Sequence, residues 1–402
     1  MIPRQLTSTL HRLSVGFPVI AITGPRQSGK TTLAKAIFSD KPYVSLEDPI
    51  ERAFAQEDPR GFLARFPNGA VFDEAQRWPE LFSYLQGQVD AARQPGKFVL
   101  TGSQQFGLLA GVTQSLAGRV GITQLLPLSL AEIPAVREGS ITLDAMLTTG
   151  GYPVLHAYPM APTDWFASYV ATYVERDVRQ VLNVQDLTTF QRFLRLCAGR
   201  TGQMLNLSAL AGEAGVSHST ARAWLSVLES SYLVHLLPPY HRNFGKRLVK
   251  TPKLYFLDVG LVAWLLGIRT VQVLVLHPLR GALFETLVVS EFVKARYNAG
   301  LPADLFFWRD NNGLEADLVF EQGARLQPVE IKSGQTVTQD YLHAARKAAR
   351  FAGEEAASPW LVYGGEESHE RSGVKVLSWR ALAEEKGIPQ PILHVGDPGF
   401  PV

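Results

Sequence analysis

Residues 18–32 read PVIAITGPRQSGKTT, and the way this stretch folds decides the architecture of the first third of the chain. The apolar run Val19–Thr23 is short and rich in β-branched residues, as a buried strand requires. It stops at Gly24, and TTLAKAIF after Lys30 is a helix-forming segment. Residues 24–31, GPRQSGKT, match GxxxxGK[ST], the phosphate-cradling P-loop, in the strand–loop–helix setting that gives the pattern its meaning. Gly24 and Gly29 let backbone N–H groups approach a β-phosphate with no Cβ in the way. Lys30 carries a point charge to the β- and γ-phosphates, and the Thr31 hydroxyl is a candidate Mg²⁺ ligand. The helix N-terminus adds its partial positive charge. Pro25, Arg26, Gln27, Ser28 and Thr32 complete the candidate binding set for ATP, with Arg26 as a further phosphate contact.

Such a site also needs a carboxylate on a neighbouring strand. The run Ala70–Phe72 ends in Asp73 and Glu74. Asp73 is the candidate for the metal side, and Glu74, one step past the strand, the candidate for orienting or deprotonating the attacking water. A third strand from Lys97 to Leu100 ends in Thr101, Gly102, Ser103 and Gln104, of which Ser103 or Gln104 is expected to face the γ-phosphate. Strands alternating with helices over 18–125 imply a parallel sheet covered on both faces, with ligand at the carboxyl ends of the strands.

Several runs beyond the loop carry a family resemblance: LEDP at 46–49, FDEAQRWPEL at 72–81, LTGSQQF at 100–106, SLAGRV at 115–120 and LLPLSLAE at 125–132. With GGYP at 150–153, YVERDV at 173–178, KTPKLYFLDVGL at 250–261 and the later EADLVF and PVEIKSG, the chain resembles the prokaryotic AAA-type ATPases that carry a C-terminal region of unassigned role. The resemblance spans about residues 10–365. It implies an AAA-like nucleotidase core, a DNA-binding-like middle and a nuclease-like end. It also implies an arginine that completes the ATPase site, often given by a neighbouring subunit and so by a homo-oligomer. Arg119 in SLAGRV and Arg176 in YVERDV are the two candidates, each with a structural salt bridge as the alternative.

The middle reads as a helix-turn-helix. LSALAGEAGVSHSTARAWLSVLESSYLV has helical apolar spacing, a turn at Gly215 and Ser217 as N-cap of a second helix from about His218 to Ser230. Its exposed face, with Arg222, is thin in positive charge. From Pro238 to Phe256 come Arg242, Lys246, Arg247, Lys250 and Lys253 with no acid among them, interleaved with Tyr240, Phe244 and Tyr255. As the wing of a winged helix this hairpin is expected to lie on DNA phosphates. A protein-packing role for the same unit is the competing reading.

In the last third, RGALFETLVVSEFVKARYN is an amphipathic helix carrying Glu285, followed by strands over 305–320 and 325–332. Glu330 and Lys332 alternate, so both point to one face. With Asp317 and Glu285 they resemble the PD-(D/E)xK nuclease fold, whose carboxylates hold Mg²⁺ beside a scissile phosphate.

The expected architecture is therefore α/β: a P-loop AAA-type core over 1–130, a helical lid or connector over 131–190, a winged-helix module over 191–270, an α/β restriction-endonuclease-like domain over 271–385, and a Pro/Gly-rich tail over 386–402. A chain of 402 residues, 46% apolar and 19% charged, has enough apolar surface for several cores. A net charge of +2 says nothing by itself about nucleic acid. The single cysteine, Cys197, excludes a disulfide framework or thiolate zinc site and reads as a buried inert thiol. No secretory signal or ~20-residue apolar span is found, so a cytoplasmic protein with no membrane partner is expected. Three functions compete: an Mg²⁺-dependent ATPase acting on DNA or a DNA-bound partner, an ATP-gated metal-dependent nuclease, and a nucleotide switch that binds a protein and has no nucleic-acid activity.

Overall fold

The computed structural model describes residues 2–103, 115–135, 139–174, 186–240, 250–310 and 313–383. Five parallel strands build the N-terminal sheet: β1 (Val19–Thr23), β2 (Tyr43–Ser45), β3 (Val71–Asp73), β4 (Phe98–Gly102) and β5 (Val120–Gln124), in the order β2-β3-β4-β1-β5. Successive side chains of β1 face opposite sides. Val19 and Ala21 join Phe62, Phe72, Phe82 and Phe98 under the helices Pro49–Glu57, Pro59–Ala64 and Leu81–Ala91. Ile20 and Ile22 pack the other way, on Leu6 and Leu10 of helix Leu6–Gly16 and on Leu33 and Ala34 of helix Lys30–Ile37. Both faces are covered, as parallel strands with no polar face demand. One expectation is corrected by this topology. The strand ending in Asp73 is not the neighbour of β1, because β4 runs between them; Thr101 of β4 donates to Asp73, and Thr31 of the P-loop still reaches the same carboxylate directly.

Buried apolar residues from Leu126 to Leu382 form one continuous cluster, so the stretches on either side of residues 190 and 270 share a core. Within it, helix Leu207–Ala214 ends at Gly215, whose φ of +79° is the left-handed cap that closes it. Ser217 Oγ then accepts from Thr220 N at 3.1 Å and starts helix His218–Ser230. A small sheet of β6 (Gln203–Met204), β7 (Val234–Leu237) and β8 (Lys253–Phe256) follows, with β8 central and antiparallel to both partners. Cys197 is buried in this region, as expected, and burial pushes its thiol pKa up.

The last part is a six-stranded mixed sheet of β9 (Phe306–Arg309), β10 (Glu315–Gln322), β11 (Arg325–Lys332), β12 (Trp360–Tyr363), β13 (His369–Arg371) and β14 (Val374–Ser378), ordered β13-β14-β12-β11-β10-β9. The single strand expected over 305–320 is thus two antiparallel strands with a break between Arg309 and Glu315. Helix Gln339–Ala349 covers one face through Leu342 and Ala345, and helix Arg280–Asn298 the other.

That long helix also grips the N-terminal core. Lys294 Nζ donates to the Leu128 carbonyl at 3.0 Å and pairs with Glu291 at 2.7 Å. Glu291 accepts from Leu130 N at 2.8 Å, and the Asn298 carbonyl accepts from Thr9 Oγ1 at 2.8 Å. A second tie is Asp258, which caps helix Val259–Leu265 and accepts from Gly151 N at 2.7 Å. It thereby fixes the turn that leads into helix Pro153–Ala157. Among the described residues no helix is long and apolar enough to cross a membrane.

Candidate functional site

A cavity of about 730 Å³ opens at the carboxyl end of β1. Arg26, Gln27, Ser28, Gly29, Lys30, Thr31, Thr32 and Glu74 line it, together with Ile2, Arg4, Pro153, Val154 and Tyr158. The P-loop takes the backbone its sequence implies: φ is +146° at Gly24, +64° at Gln27 and +95° at Gly29. A side chain at Gly24 would collide with the Leu125 carbonyl, which fits the need for glycine there. Gly29 opens helix Lys30–Ile37 with no side-chain cap, so the first N–H groups of that helix have no side-chain partner at the cap. The Ser28 hydroxyl is buried and has no hydrogen-bond partner among the described residues. Lys30 Nζ donates to the carbonyls of Gly24 at 3.0 Å and Pro25 at 2.8 Å. These features suit a bound polyphosphate.

Asp73 lies beside Thr31 as expected, with Thr31 Oγ1 donating to its two carboxylate oxygens at 3.0 and 3.1 Å. Tyr43 O–H donates to Asp73 Oδ2 at 2.7 Å, and Thr101 Oγ1 donates to Oδ1. Burial, with Asp73 beside it, holds the Tyr43 phenol well above its usual pKa, so it stays a donor. Thr31 and Asp73 therefore fit an Mg²⁺ ion held through the hydroxyl and the carboxylate. Glu74 has φ +54°, a left-handed conformation for a non-glycine residue immediately after β3. Its Oε2 accepts from Ser103 Oγ at 3.0 Å and from Gln76 Nε2 at 2.5 Å. Ser103, the expected strand-tip residue, thus touches the proposed water-orienting acid; Gln104 lies outside the described residues.

Sequence reasoning missed Arg4. Its guanidinium is buried beneath the loop, donating to the Ser28 carbonyl at 2.7 Å and the Leu126 carbonyl at 2.7 Å, and sits 3.0 Å from Glu132. Nothing local marks this residue, because its partners are 24 to 128 positions away in sequence.

The two arginine candidates separate. Arg176 lies outside the described residues. Arg119 precedes β5 and its backbone carbonyl accepts from Val19 N, which puts it at the amino edge of the sheet. Five residues of strand, about 16 Å, lie between that edge and the P-loop. Its side chain pairs with Asp90 at 2.5 Å. Within its own chain Arg119 therefore stands away from the P-loop and makes the salt bridge that was its alternative reading.

Of the expected DNA-contact residues, Arg222 and Lys250 are exposed, while Arg242, Lys246 and Arg247 lie outside the described residues. Lys253 contradicts its reading. It is a buried residue of β8, with Nζ 2.5 Å from Glu315, 3.3 Å from Glu285 and 4.0 Å from Asp317. The reason is register: β8 is the central strand of its sheet, and its lysine faces helix Arg280–Asn298 and β10 instead of solvent.

The remaining C-terminal candidates do meet. Asp317 Oδ2 accepts from Ile331 N at 2.8 Å, and Lys332 Nζ lies 3.9 Å from Asp317 and 2.5 Å from Glu330. Asp317 sits where the pairing of β10 with β9 shifts register between Ala316 and Val319. Tyr255 O–H donates to Glu285 at 2.5 Å. Glu315 was passed over in the sequence, although its two-residue spacing from Asp317 places both on one face. Burial, with Asp317 close by, raises the carboxyl of Glu285; the same causes push Glu330 up to about 7.

A family model described as an AAA domain matches residues 16–134, and two described as domains of unknown function match 141–272 and 280–382. The uncharacterized proteins Rv2008c of Mycobacterium tuberculosis and Mb2031c of Mycobacterium bovis are each 32% identical over 336 residues, covering 83% of this chain and 73% of the relative. Among solved structures, the chain is similar to the Walker-type ATPase PABY2304 of Pyrococcus abyssi, with a TM-score of 0.46 and 14% identity over 66% of this chain and 96% of that one. It is also similar to the RuvB Holliday junction branch migration motor of Thermotoga maritima, with a TM-score of 0.32 and 19% identity over 59% of this chain and 90% of that one. At the identity and coverage it shares with the two mycobacterial proteins, the chain belongs to their family, with an AAA-type P-loop ATPase domain followed by two regions of unknown function.

Proposed function

We propose that this protein is an Mg²⁺-dependent ATPase whose turnover acts on DNA or on a DNA-bound partner. The observation that carries the ATPase reading is the contact of Thr31 with Asp73, directly under the uncapped helix N-terminus, with Glu74 oriented by Ser103 alongside. Lys30 leaves the carbonyls of Gly24 and Pro25 for the β- and γ-phosphates when nucleotide enters. Glu74 accepts a proton from the attacking water while Ser103 and Gln76 hold its carboxylate in place. Bound Mg²⁺ supplies charge neutralisation at the phosphate oxygens. The apolar side chains of Ile2, Pro153, Val154 and Tyr158 suit the flat face of a nucleobase.

The DNA reading is supported by the helix pair Leu207–Ala214 and His218–Ser230, by exposed Arg222 and Lys250, and by Arg242, Lys246 and Arg247 in the acid-free stretch between them. An arginine supplied in trans, for which Arg119 and Arg176 are the two candidates, would make a homo-oligomer part of the mechanism.

The test is ATPase rate for the wild type, Lys30→Ala and Glu74→Gln, each with and without single-stranded, double-stranded and branched DNA. Lys30→Ala should lose nucleotide binding. Glu74→Gln should bind normally and turn over about 10²-fold more slowly. Arg222→Ala and Lys250→Ala should each lower the salt slope of DNA binding by about 1. Absence of DNA binding by the wild type at low salt would remove the DNA reading and leave the ATPase.

A further inference from the structure

Asp317, Glu330, Lys332 and Glu285 resemble a site that holds Mg²⁺ for phosphodiester cleavage, and the residues around them can be asked whether such an ion fits. A divalent ion of this kind sits about 2.0–2.1 Å from its oxygen ligands, and a buried ammonium fixed among those oxygens opposes it by charge and by volume. Here every carboxylate of the cluster has a cation of the protein's own. Glu285 has Lys253 at 3.3 Å, Glu315 has Lys253 at 2.5 Å and Arg309 at 3.1 Å, Asp317 has Lys332 at 3.9 Å and Lys253 at 4.0 Å, and Glu330 has Lys332 at 2.5 Å. The ion does not fit this arrangement.

Lys253 is the reason, because it has no other place to go. It sits on a central strand, paired to Met204 on one side and Leu237 on the other, and its side chain is only 5% exposed. Its ammonium lies 5.5 Å from the ring centroid of Phe307, a further contact that favours a cation. Burial alone would lower its pKa, but Glu285, Asp317 and Glu315 outweigh that and raise it, so the group is an ammonium at any ordinary pH. Tyr255, two residues on and on the same face, adds its hydroxyl to Glu285.

The cluster is also shared between regions. Lys253 and Tyr255 belong to the stretch 141–272, whereas the four carboxylates and Lys332 belong to 280–382. We infer that Lys253 takes the place of the divalent cation, so that the nuclease-like cluster is a metal-independent ionic joint locking β8 to the C-terminal sheet and cuts no phosphodiester. The chain then has no phosphodiester-cleavage step of its own. This inference is independent of the ATPase reading and is tested in nucleotide-free protein.

The experiment titrates Mn²⁺ into the full chain and follows bound metal by electron paramagnetic resonance, for the wild type, Asp317→Asn, Lys253→Met and the double variant. The wild type and Asp317→Asn should bind Mn²⁺ equally weakly. Lys253→Met should gain one site at least ten-fold tighter, and the double variant should lose it. A wild-type Mn²⁺ site that Asp317→Asn abolishes overturns the inference, and so does a folded Lys253→Met variant that gains none. Should Lys253→Met be too unstable to titrate, Mn²⁺ is expected to raise its Tm while leaving that of the wild type unchanged; no rise overturns the inference equally.

Discussion

The phenol oxygen of Tyr232 lies 2.6 Å from Oγ1 of Thr23, the residue directly before the first P-loop glycine. Thr23 Oγ1 itself donates to the Thr123 carbonyl at 3.0 Å, so the tyrosine is the donor of the pair. Tyr232 belongs to the turn that leaves helix His218–Ser230, and its φ of +57° is a left-handed conformation costing roughly 1 kcal/mol for a non-glycine residue. Packing holds it there, since the side chain is buried. The end of the strand that feeds the phosphate loop and the turn that leaves the second helix of the pair are thus joined by a hydrogen bond.

Removing either hydroxyl tests whether that bond carries energy. Tyr232→Phe and Thr23→Val should each lower stability by about 1 kcal/mol. In a double-mutant cycle their effects should be less than additive by more than about 0.5 kcal/mol, measured by denaturant unfolding. Tyr232→Phe should also weaken nucleotide binding, seen in a fluorescent-nucleotide titration. Additive effects with unchanged nucleotide affinity would mean that the two groups are mere neighbours.

The surroundings of Asp73 give a second expectation. Thr101 and Tyr43 orient its carboxylate, and neither lines the cavity. Thr101→Val should therefore raise the Mg²⁺ concentration needed for half-maximal ATPase activity by about 10- to 100-fold, the usual cost of losing a group that orients a metal ligand. Tyr43→Phe should do the same more weakly. An unchanged Mg²⁺ dependence in both would show that Asp73 needs no such support.

How much of this was legible in the sequence follows from which residues act locally. Gly24, Lys30, Thr31, Asp73 and Glu74 announce themselves because each works from a backbone position fixed by the strand or helix it adjoins. Thr101 was visible as a strand-tip residue, yet its role depends on β4 lying between β1 and β3, which no local pattern states. Arg4 and Tyr232 are invisible for the same reason, since their partners are 24 and 209 residues away. Lys253 was misread because a basic residue in an acid-free run looks solvated, and only the central place of β8 buries it. Ser217 and Gly215 were legible because capping is a local matter.

Arg4 supplies a third prediction. Its guanidinium joins the loop carbonyl of Ser28 to Glu132, which also accepts from Gln5 N at 2.7 Å and Ser129 N at 2.9 Å. Arg4→Met leaves a buried carboxylate without its cation and should destabilise the protein by about 3 kcal/mol. Adding Glu132→Gln should recover part of that loss, because the uncompensated charge is gone. Nucleotide affinity should stay low in both, as neither restores the support under Ser28. Full recovery of affinity in the double variant would show that Arg4 matters to folding alone.

The C-terminal cluster makes the stability of the fold depend on pH. Glu330 is pushed up to about 7 by burial and by Asp317, with Glu285 adding to the effect and Lys332 opposing it. In the unfolded chain its carboxyl titrates near its ordinary value of 4.5. Between these two values the folded protein holds a proton that the unfolded chain has released, so stability falls as pH rises through this window. The contribution of Glu330 is fully present below about 4.5 and is lost as pH passes about 7. Comparing the wild type with Glu330→Gln across this window isolates the part of the slope that Glu330 contributes. Glu330→Gln, which keeps the shape and cannot ionise, should flatten that slope in urea unfolding curves taken at several pH values. It should also be more stable than the wild type at pH 7.5, where the wild type carries the buried charge. An unchanged slope in Glu330→Gln would place the retained proton elsewhere in the cluster, with Glu285→Gln as the variant that should then remove it.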